Sequence, residues 1–122
     1  MNQARKVVIA ELPEDRPMAL IARRRIVGEK MMVSHIVLQK GFSVGTHAHE
    51  NEQISIVQSG RFRFRVGADG APDRRTIEVG AGEALVLPAN VPHSGEALED
   101  SVILDLFSPP SERTGVDSPR DG

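Results

Sequence analysis

The sequence predicts a single all-β domain, either an antiparallel sandwich or a barrel. Three observations support this. Apolar residues occur in short runs, they alternate with polar residues at the period of a strand, and glycine or proline separates most of the runs. Many short strands with such punctuation favour a sandwich or barrel. A chain of 122 residues has room for one hydrophobic core and not for two.

The first 20 residues are expected to form a strand and a loop. Residues 5–10 are a short apolar run that could form an edge strand, and the loop after it contains Pro13 and Pro17. Residues 18–25 alternate loosely and end in three consecutive arginines. Runs of charge usually face water, so a solvated strand face is the preferred interpretation. A cation for an anionic substrate is the alternative.

Residues 31–39 predict a strand that ends at Lys40 and Gly41. His35 shares one face of this strand with Val33 and Val37. A lone histidine on an apolar strand is usually a hydrogen-bonded core or rim residue. A ligand or catalytic role for His35 is the alternative.

Residues 41–60 hold two histidines and a glutamine close together. His47 and His49 are two residues apart, so their side chains leave an extended strand on the same face, and Gln53 follows a short polar turn. A further histidine, His93, follows a second turn. Pro88 and the proline that directly precedes His93 make this turn stiff. These four side chains are predicted to bind one metal ion. The alternative is that the histidines are surface and turn residues.

The proposed ligand set carries no formal charge, because it consists of three imidazoles and one amide oxygen. A divalent ion would therefore keep its full Lewis acidity and would have open positions for an oxygen-donor substrate. Since Gln53 is an amide and not a carboxylate, the site would have no metal-bound general base. Nickel, zinc, manganese and iron all remain candidates.

The second half of the chain predicts more strands. Residues 60–66 alternate strictly, with Phe62 and Phe64 on one face and arginines on the other, and residues 74–79 return as the hairpin partner. The arginine row is expected to face water. Residues 83–87 and 101–107 are the last strands. Residues 111–122 are polar and rich in turn formers, so they are expected to form a flexible tail.

Asp105 and Phe107 lie on the same face of the last predicted strand. A carboxylate inside an apolar strand is costly unless it is paired, hydrogen-bonded or used in chemistry. Asp105 therefore either faces a cavity as a proton-transfer group or has a structural role, on the outer face of the sheet, as a turn cap or in a pair with an arginine.

Two motifs resemble those of the cupin superfamily, over roughly residues 20–110. The residues that match the first motif are Gly41, His47, His49, Gln53 and Gly60, and those that match the second are Gly82, Pro88 and His93. Asn90 stands where a glycine is usual, and Ala97 where an asparagine is usual. The resemblance implies a cupin β-barrel, or jelly roll, over residues 21–110.

Residues 88–110, and the run that begins at His47, look like the pectin-degradation cupins of the KdgF type. Those enzymes use a divalent metal on three histidines and a glutamine to open the ring of 4,5-unsaturated uronates. The resemblance implies that Asp105 and Phe107 are catalytic. It also shows a departure, because Ser111 stands where an arginine is expected and Arg113 follows two positions later.

Two other functions remain open on the same ligand set. One is a mononuclear iron or nickel dioxygenase, and the other is a non-catalytic sugar or small-ligand binding protein. A homodimer that pairs through residues 6–10 is expected, because small barrels often associate through an edge strand.

Composition argues against several partners. A net charge of −2 and the lack of tyrosine and tryptophan give little support to nucleic-acid binding. The apolar runs are far shorter than the ~18 residues that a spanning helix needs, so no membrane partner is expected. The sequence has no cysteine, which excludes disulfides and is compatible with the cytoplasm.

Overall fold

The computed structural model describes residues 3–117. Within this range, one short 3₁₀ helix, Ile9–Glu11, precedes nine strands. The strands are β1 (Ile21–Val27), β2 (Met32–Leu38), β3 (Ser43–His47), β4 (Glu52–Ser59), β5 (Arg61–Val66), β6 (Arg75–Gly80), β7 (Ala84–Leu87), β8 (His93–Ala97) and β9 (Ser101–Ser108). No helix among these described residues is long and apolar enough to cross a membrane.

The strands form two antiparallel sheets that enclose one core. The five-stranded sheet has the order β1-β2-β9-β4-β7, and the four-stranded sheet has the order β3-β8-β5-β6. The core residues come from both sheets; they are Ile21, Ile36, Leu38, Phe42, Val57, Phe62, Phe64, Val79, Leu87, Ala97 and Ile103. This arrangement confirms the predicted all-β jelly roll.

The β5–β6 hairpin has the faces that the alternating sequence predicted. Phe62 and Phe64 are each 5% exposed and pack in the core. On the other face, Arg63 lies 3.2 Å from Glu78 on β6 and 3.7 Å from Glu96 on β8. The arginine row therefore faces water and is partly neutralised by acidic neighbours.

The predicted N-terminal edge strand is wrong. Residues 5–8 lie outside any strand, and the chain then turns through the 3₁₀ helix Ile9–Glu11. The reason lies at the free edge of β1. Asp15 exchanges two backbone hydrogen bonds of 2.9 Å with Arg23, so the loop already occupies part of the edge that the N-terminal run would need.

The C-terminal segment also differs from its prediction. Residues 111–117, which we call the C-terminal strap, lie against the barrel instead of forming a loose tail. Thr114 is 9% exposed, Val116 packs against the core, and Asp117 pairs with Arg23 at 2.6 Å. The rest of the predicted tail, residues 118–122, lies outside the described residues. Arg23 itself is only 2% exposed, so the expected solvated face is wrong at this position.

Candidate metal centre

Three histidines meet at one end of the barrel. β3 ends at His47, β8 begins at His93, and these two residues are paired across the four-stranded sheet. His49 follows in the loop between β3 and β4. One nitrogen of each ring lies within 4.8 Å of the others, which is close enough for a single metal ion to bind all three.

Backbone carbonyls orient the three imidazoles. Nδ1 of His47 lies 2.8 Å from the Gly45 carbonyl, and Nδ1 of His49 lies 3.1 Å from that of Asn51. Nδ1 of His93 has the same kind of contact, 2.9 Å to the carbonyl of Val91. Each Nδ1–H therefore donates to a carbonyl, which leaves the Nε2 lone pair for a metal.

Burial also favours the neutral, metal-binding form of the rings. It lowers the pKa of His93 to about 4 and lowers the pKa of His47 below its ordinary value. Both shifts favour the neutral imidazole, which has a proton on Nδ1 and a lone pair on Nε2. A metal ion would not have to compete with protons for these two nitrogens.

Gln53 faces the same space from the five-stranded sheet. Its side chain is buried on β4, and its Oε1 lies 3.1 Å from Nε2 of His49. Because the His49 proton is on Nδ1, both of these atoms are hydrogen-bond acceptors. Two lone pairs that face each other at this distance repel, and either a metal ion or a second proton on His49 relieves that repulsion. The donor set thus fits a metal ion, as the sequence predicted.

Asp105 lies inside the barrel, beside the metal centre. It is on β9, in register with Ser55 of β4, and the Ser55 hydroxyl donates a hydrogen bond of 2.5 Å to Asp105 Oδ1. The Ser55 oxygen in turn accepts a hydrogen bond of 2.9 Å from the Gln53 amide. Burial raises the pKa of Asp105 to about 6. This places a carboxyl group with a raised pKa in the cavity that His47 and His93 also line.

Sequence reasoning missed two buried serines near Asp105. Ser55 is 0% exposed and connects Asp105 with Gln53. Ser34 on β2 is also in register with Asp105, and its buried hydroxyl has no hydrogen-bond partner within residues 3–117. The two-residue period of β4 was a usable signal, because it places Ser55 on the same face as Gln53.

Phe107 forms an apolar wall of the metal centre. It is 3% exposed, it is paired with Gln53 across the sheet, and its ring centroid lies 5.8 Å from that of His49. The ring is therefore positioned to exclude water from one side of the histidines.

The strap closes the remaining space. The cavity lined by His47, Gln53, His93 and Asp105 has a volume of only about 50 Å³, and Thr114 and Val116 form part of its wall. Between them, Gly115 is so close that a Cβ atom built on it would lie 2.2 Å from His47 Nε2. The C-terminal strap thus lies directly against the metal-binding side of this imidazole.

Three other residues that the sequence singled out lie elsewhere. His35 points away from the barrel interior, since its neighbours Ser34 and Ile36 are both buried on the opposite face of β2. Ser111 lines a second cavity, and Arg113 is exposed on the strap. The structure therefore does not bring His35 or Arg113 to the metal centre.

Comparisons with known proteins agree with the fold. The family model described as a cupin domain matches residues 34–107. No curated protein matches the chain. The structure of KdgF from Halomonas sp. is 26% identical with a TM-score of 0.76, and the match covers 90% of this chain and 97% of that one.

Two further solved structures are similar in fold. An RmlC-like cupin from Shewanella frigidimarina is 24% identical, with a TM-score of 0.74 and coverage of 92% of this chain and 97% of that one. Oxalate decarboxylase from Bacillus subtilis, described with Mn(II) centres, is 19% identical with a TM-score of 0.75, over 87% of this chain and 30% of that one. The family model spans more than half of the sequence, and the protein therefore belongs to the cupin family and is a small cupin similar to KdgF.

Proposed function

We propose that this protein is a metal-dependent enzyme that opens the ring of an unsaturated uronate or a related cyclic hydroxy-ketone. The observation that carries this proposal is the placement of a carboxyl group, Asp105, in the cavity that His47, His93 and Gln53 line. The similarity to the Halomonas KdgF structure, over nearly the full length of both chains, supports it.

One divalent ion would be held by His47, His49, His93 and Gln53, and nickel, zinc, manganese and iron are the candidates. When bound, the ion would supply Lewis acidity to oxygen atoms of the substrate. Gln53 completes the set without adding charge, since its amide hydrogen is engaged by Ser55 and its oxygen faces His49.

Asp105 is proposed to move the proton. Ring opening is an isomerisation in which a proton leaves the anomeric hydroxyl, the bond to the ring oxygen breaks, and a proton is added to a carbon of the resulting enol. A carboxyl group with a pKa of about 6 can accept and donate a proton near neutral pH. Ser55 fixes its orientation, and Phe107 excludes water beside it.

Turnover of 4,5-unsaturated galacturonate, followed by proton NMR, tests this proposal. The protein would be loaded in turn with nickel, zinc, manganese and iron, and we expect faster ring opening than the spontaneous rate with at least one of them. No acceleration with any metal would contradict the proposal. Oxygen uptake would then point to a dioxygenase, and sugar binding without turnover would point to a binding protein.

A homodimer is also proposed, although residues 6–10 do not form the expected pairing strand. Its support is the outer face of the five-stranded sheet, where Val37 and Val86 are 41% and 57% exposed. The molar mass in solution, from light scattering, tests it, and a monomeric mass would contradict it. The cytoplasmic location expected from the cysteine-free sequence stays a prediction.

A further inference from the structure

Arg23 holds two carboxylates with one buried guanidinium. Its Nε and Nη2 donate to the two carboxylate oxygens of Asp15, at 3.0 and 2.7 Å. Its Nη1 and Nη2 donate to those of Asp117, at 2.9 and 2.6 Å. Such paired contacts are the strongest form of arginine–carboxylate recognition, and here they occur on a side chain that is 2% exposed.

The two aspartates are attached to the barrel in different ways. Asp15 is tied to β1 by the two backbone hydrogen bonds that it exchanges with Arg23. Asp117 belongs to the C-terminal strap, and its position depends on how the strap lies. Asp15 therefore belongs to the wall of the site, whereas Asp117 can leave together with the strap.

The strap separates two spaces. On its inner side is the cavity of about 50 Å³ at the metal centre, which is far below the ~300 Å³ or more of ordinary small-molecule sites. On its outer side is a cavity of about 570 Å³ that is lined by Arg23, Arg25 and Ser111 among others. His47 and His49 are partly exposed, but a sugar is too large for the inner cavity while the strap is closed. Movement of the strap would enlarge that cavity and bring Arg23 into the same open space.

We propose that Arg23 forms a carboxylate subsite of the substrate cavity, and that Asp117 occupies this subsite when the strap is closed. Charge supports this, because Arg23 and Arg25 are balanced by Asp15 and Asp117, and the departure of Asp117 leaves one unpaired positive charge. The subsite deepens the proposed function, on which it rests, since a uronate carries such a carboxylate.

The distances suit a ligand of monosaccharide size. Gly115 lies against His47, and Asp117, two residues later, lies against Arg23, so the two strap Cα atoms are at most about 7 Å apart. Arg23 is on β1 and Asp105 is on β9, and β2 is the one strand between them. Two strand spacings correspond to about 10 Å. One small molecule can therefore contact Arg23 and the metal centre together.

Binding of D-galacturonate and of uncharged D-galactose to the metal-loaded protein, measured by titration calorimetry, tests this subsite. Asp117→Asn should strengthen galacturonate binding about tenfold more than galactose binding, because loosening the strap helps both sugars but removing the competing charge helps only the carboxylate. Asp73→Asn, which makes the same charge change on the exposed β5–β6 turn, should leave both affinities unaltered. The double variant Arg23→Gln, Asp117→Asn should lose the gain for galacturonate.

Three results would overturn the subsite. One is an equal gain for both sugars in Asp117→Asn, which would mean that Asp117 only keeps the strap closed. The others are a gain that persists without Arg23, and no measurable galacturonate binding to any variant. If circular dichroism shows that the double variant does not fold, the comparison of the two sugars in Asp117→Asn still decides whether the subsite exists. The test is independent of turnover, so a galacturonate-specific gain without ring opening would retain the subsite and reject the proposed reaction.

Discussion

The side chain of Asp105 takes its properties from its neighbours. Burial raises its pKa to about 6, and the Ser55 hydroxyl holds one of its oxygens. The same group on the outer face of β9 would have an ordinary pKa and no access to the histidines. Whether a strand carboxylate is a structural or a chemical group thus depends on the face it occupies and on the residue in register with it.

Asp105→Asn should lower kcat for ring opening by about 100-fold or more, the usual contribution of a general acid–base group. The amide can still accept the hydrogen bond from Ser55, so the fold and the metal content should be unchanged. Rate measurements by proton NMR and metal analysis of the same sample check both points. Full activity in the variant would show that another group moves the proton, and loss of metal along with activity would show that Asp105 supports the metal site.

At the scale of elements, the C-terminal strap is one part that sequence reasoning did not predict. Its composition is polar and rich in turn formers, which favours disorder. Its order depends on contacts that are distant in sequence, namely Asp117 with Arg23 and Val116 with the core. A local pattern carries no information about such pairs. The strands were predictable because alternation and glycine punctuation are local signals.

Gly115→Ala should loosen the strap. The new Cβ would lie 2.2 Å from His47 Nε2, on a backbone with φ of +104° that disfavours a side chain. We expect metal transfer to a colorimetric chelator to become about fivefold faster or more, which corresponds to about 1 kcal/mol of lost strap contacts.

Gly70→Ala is the matched control for this measurement. Gly70 also has a positive φ, +75°, but no atom lies within 4 Å of a Cβ placed there. The control therefore imposes similar backbone strain without touching the metal centre. Equal transfer rates in the two variants would show that the strap does not restrict access to the histidines.

At the scale of the whole molecule, the sequence predicted the barrel and most of the residues of the site. The two histidine motifs and the alternating strands lie within contiguous stretches, and the structure brings His47, His49 and His93 together. Ser34 was missed because a buried serine on a strand has no distinctive local pattern, whereas Ser55 could have been found from the two-residue period that places it on the face of Gln53. The prediction of an N-terminal edge strand was wrong for a different reason. Asp15 already pairs with Arg23 at the free edge of β1, and this contact is visible only in the folded protein.

The predicted ligands come from both layers of the barrel. His47 and His93 belong to the four-stranded sheet, whereas Gln53 belongs to β4 of the five-stranded sheet. A bound ion would thus be a cross-link between two layers that otherwise hold together by side-chain packing. Any ligand that binds only the folded chain raises its stability, by about 2.7 kcal/mol at 100 times the dissociation constant.

The melting temperature should therefore report on this cross-link. Wild-type protein should melt higher with zinc than with a chelator, His49→Ala should lose the whole increment, and Gln53→Ala should keep part of it. Comparing each variant with its own metal-free form removes the cost of the substitution itself. An unchanged increment in His49→Ala would reject the ligand assignment. In such a barrel the bound ion would stabilise the fold as well as take part in the reaction. Loss of the metal would then lower both the stability and the activity.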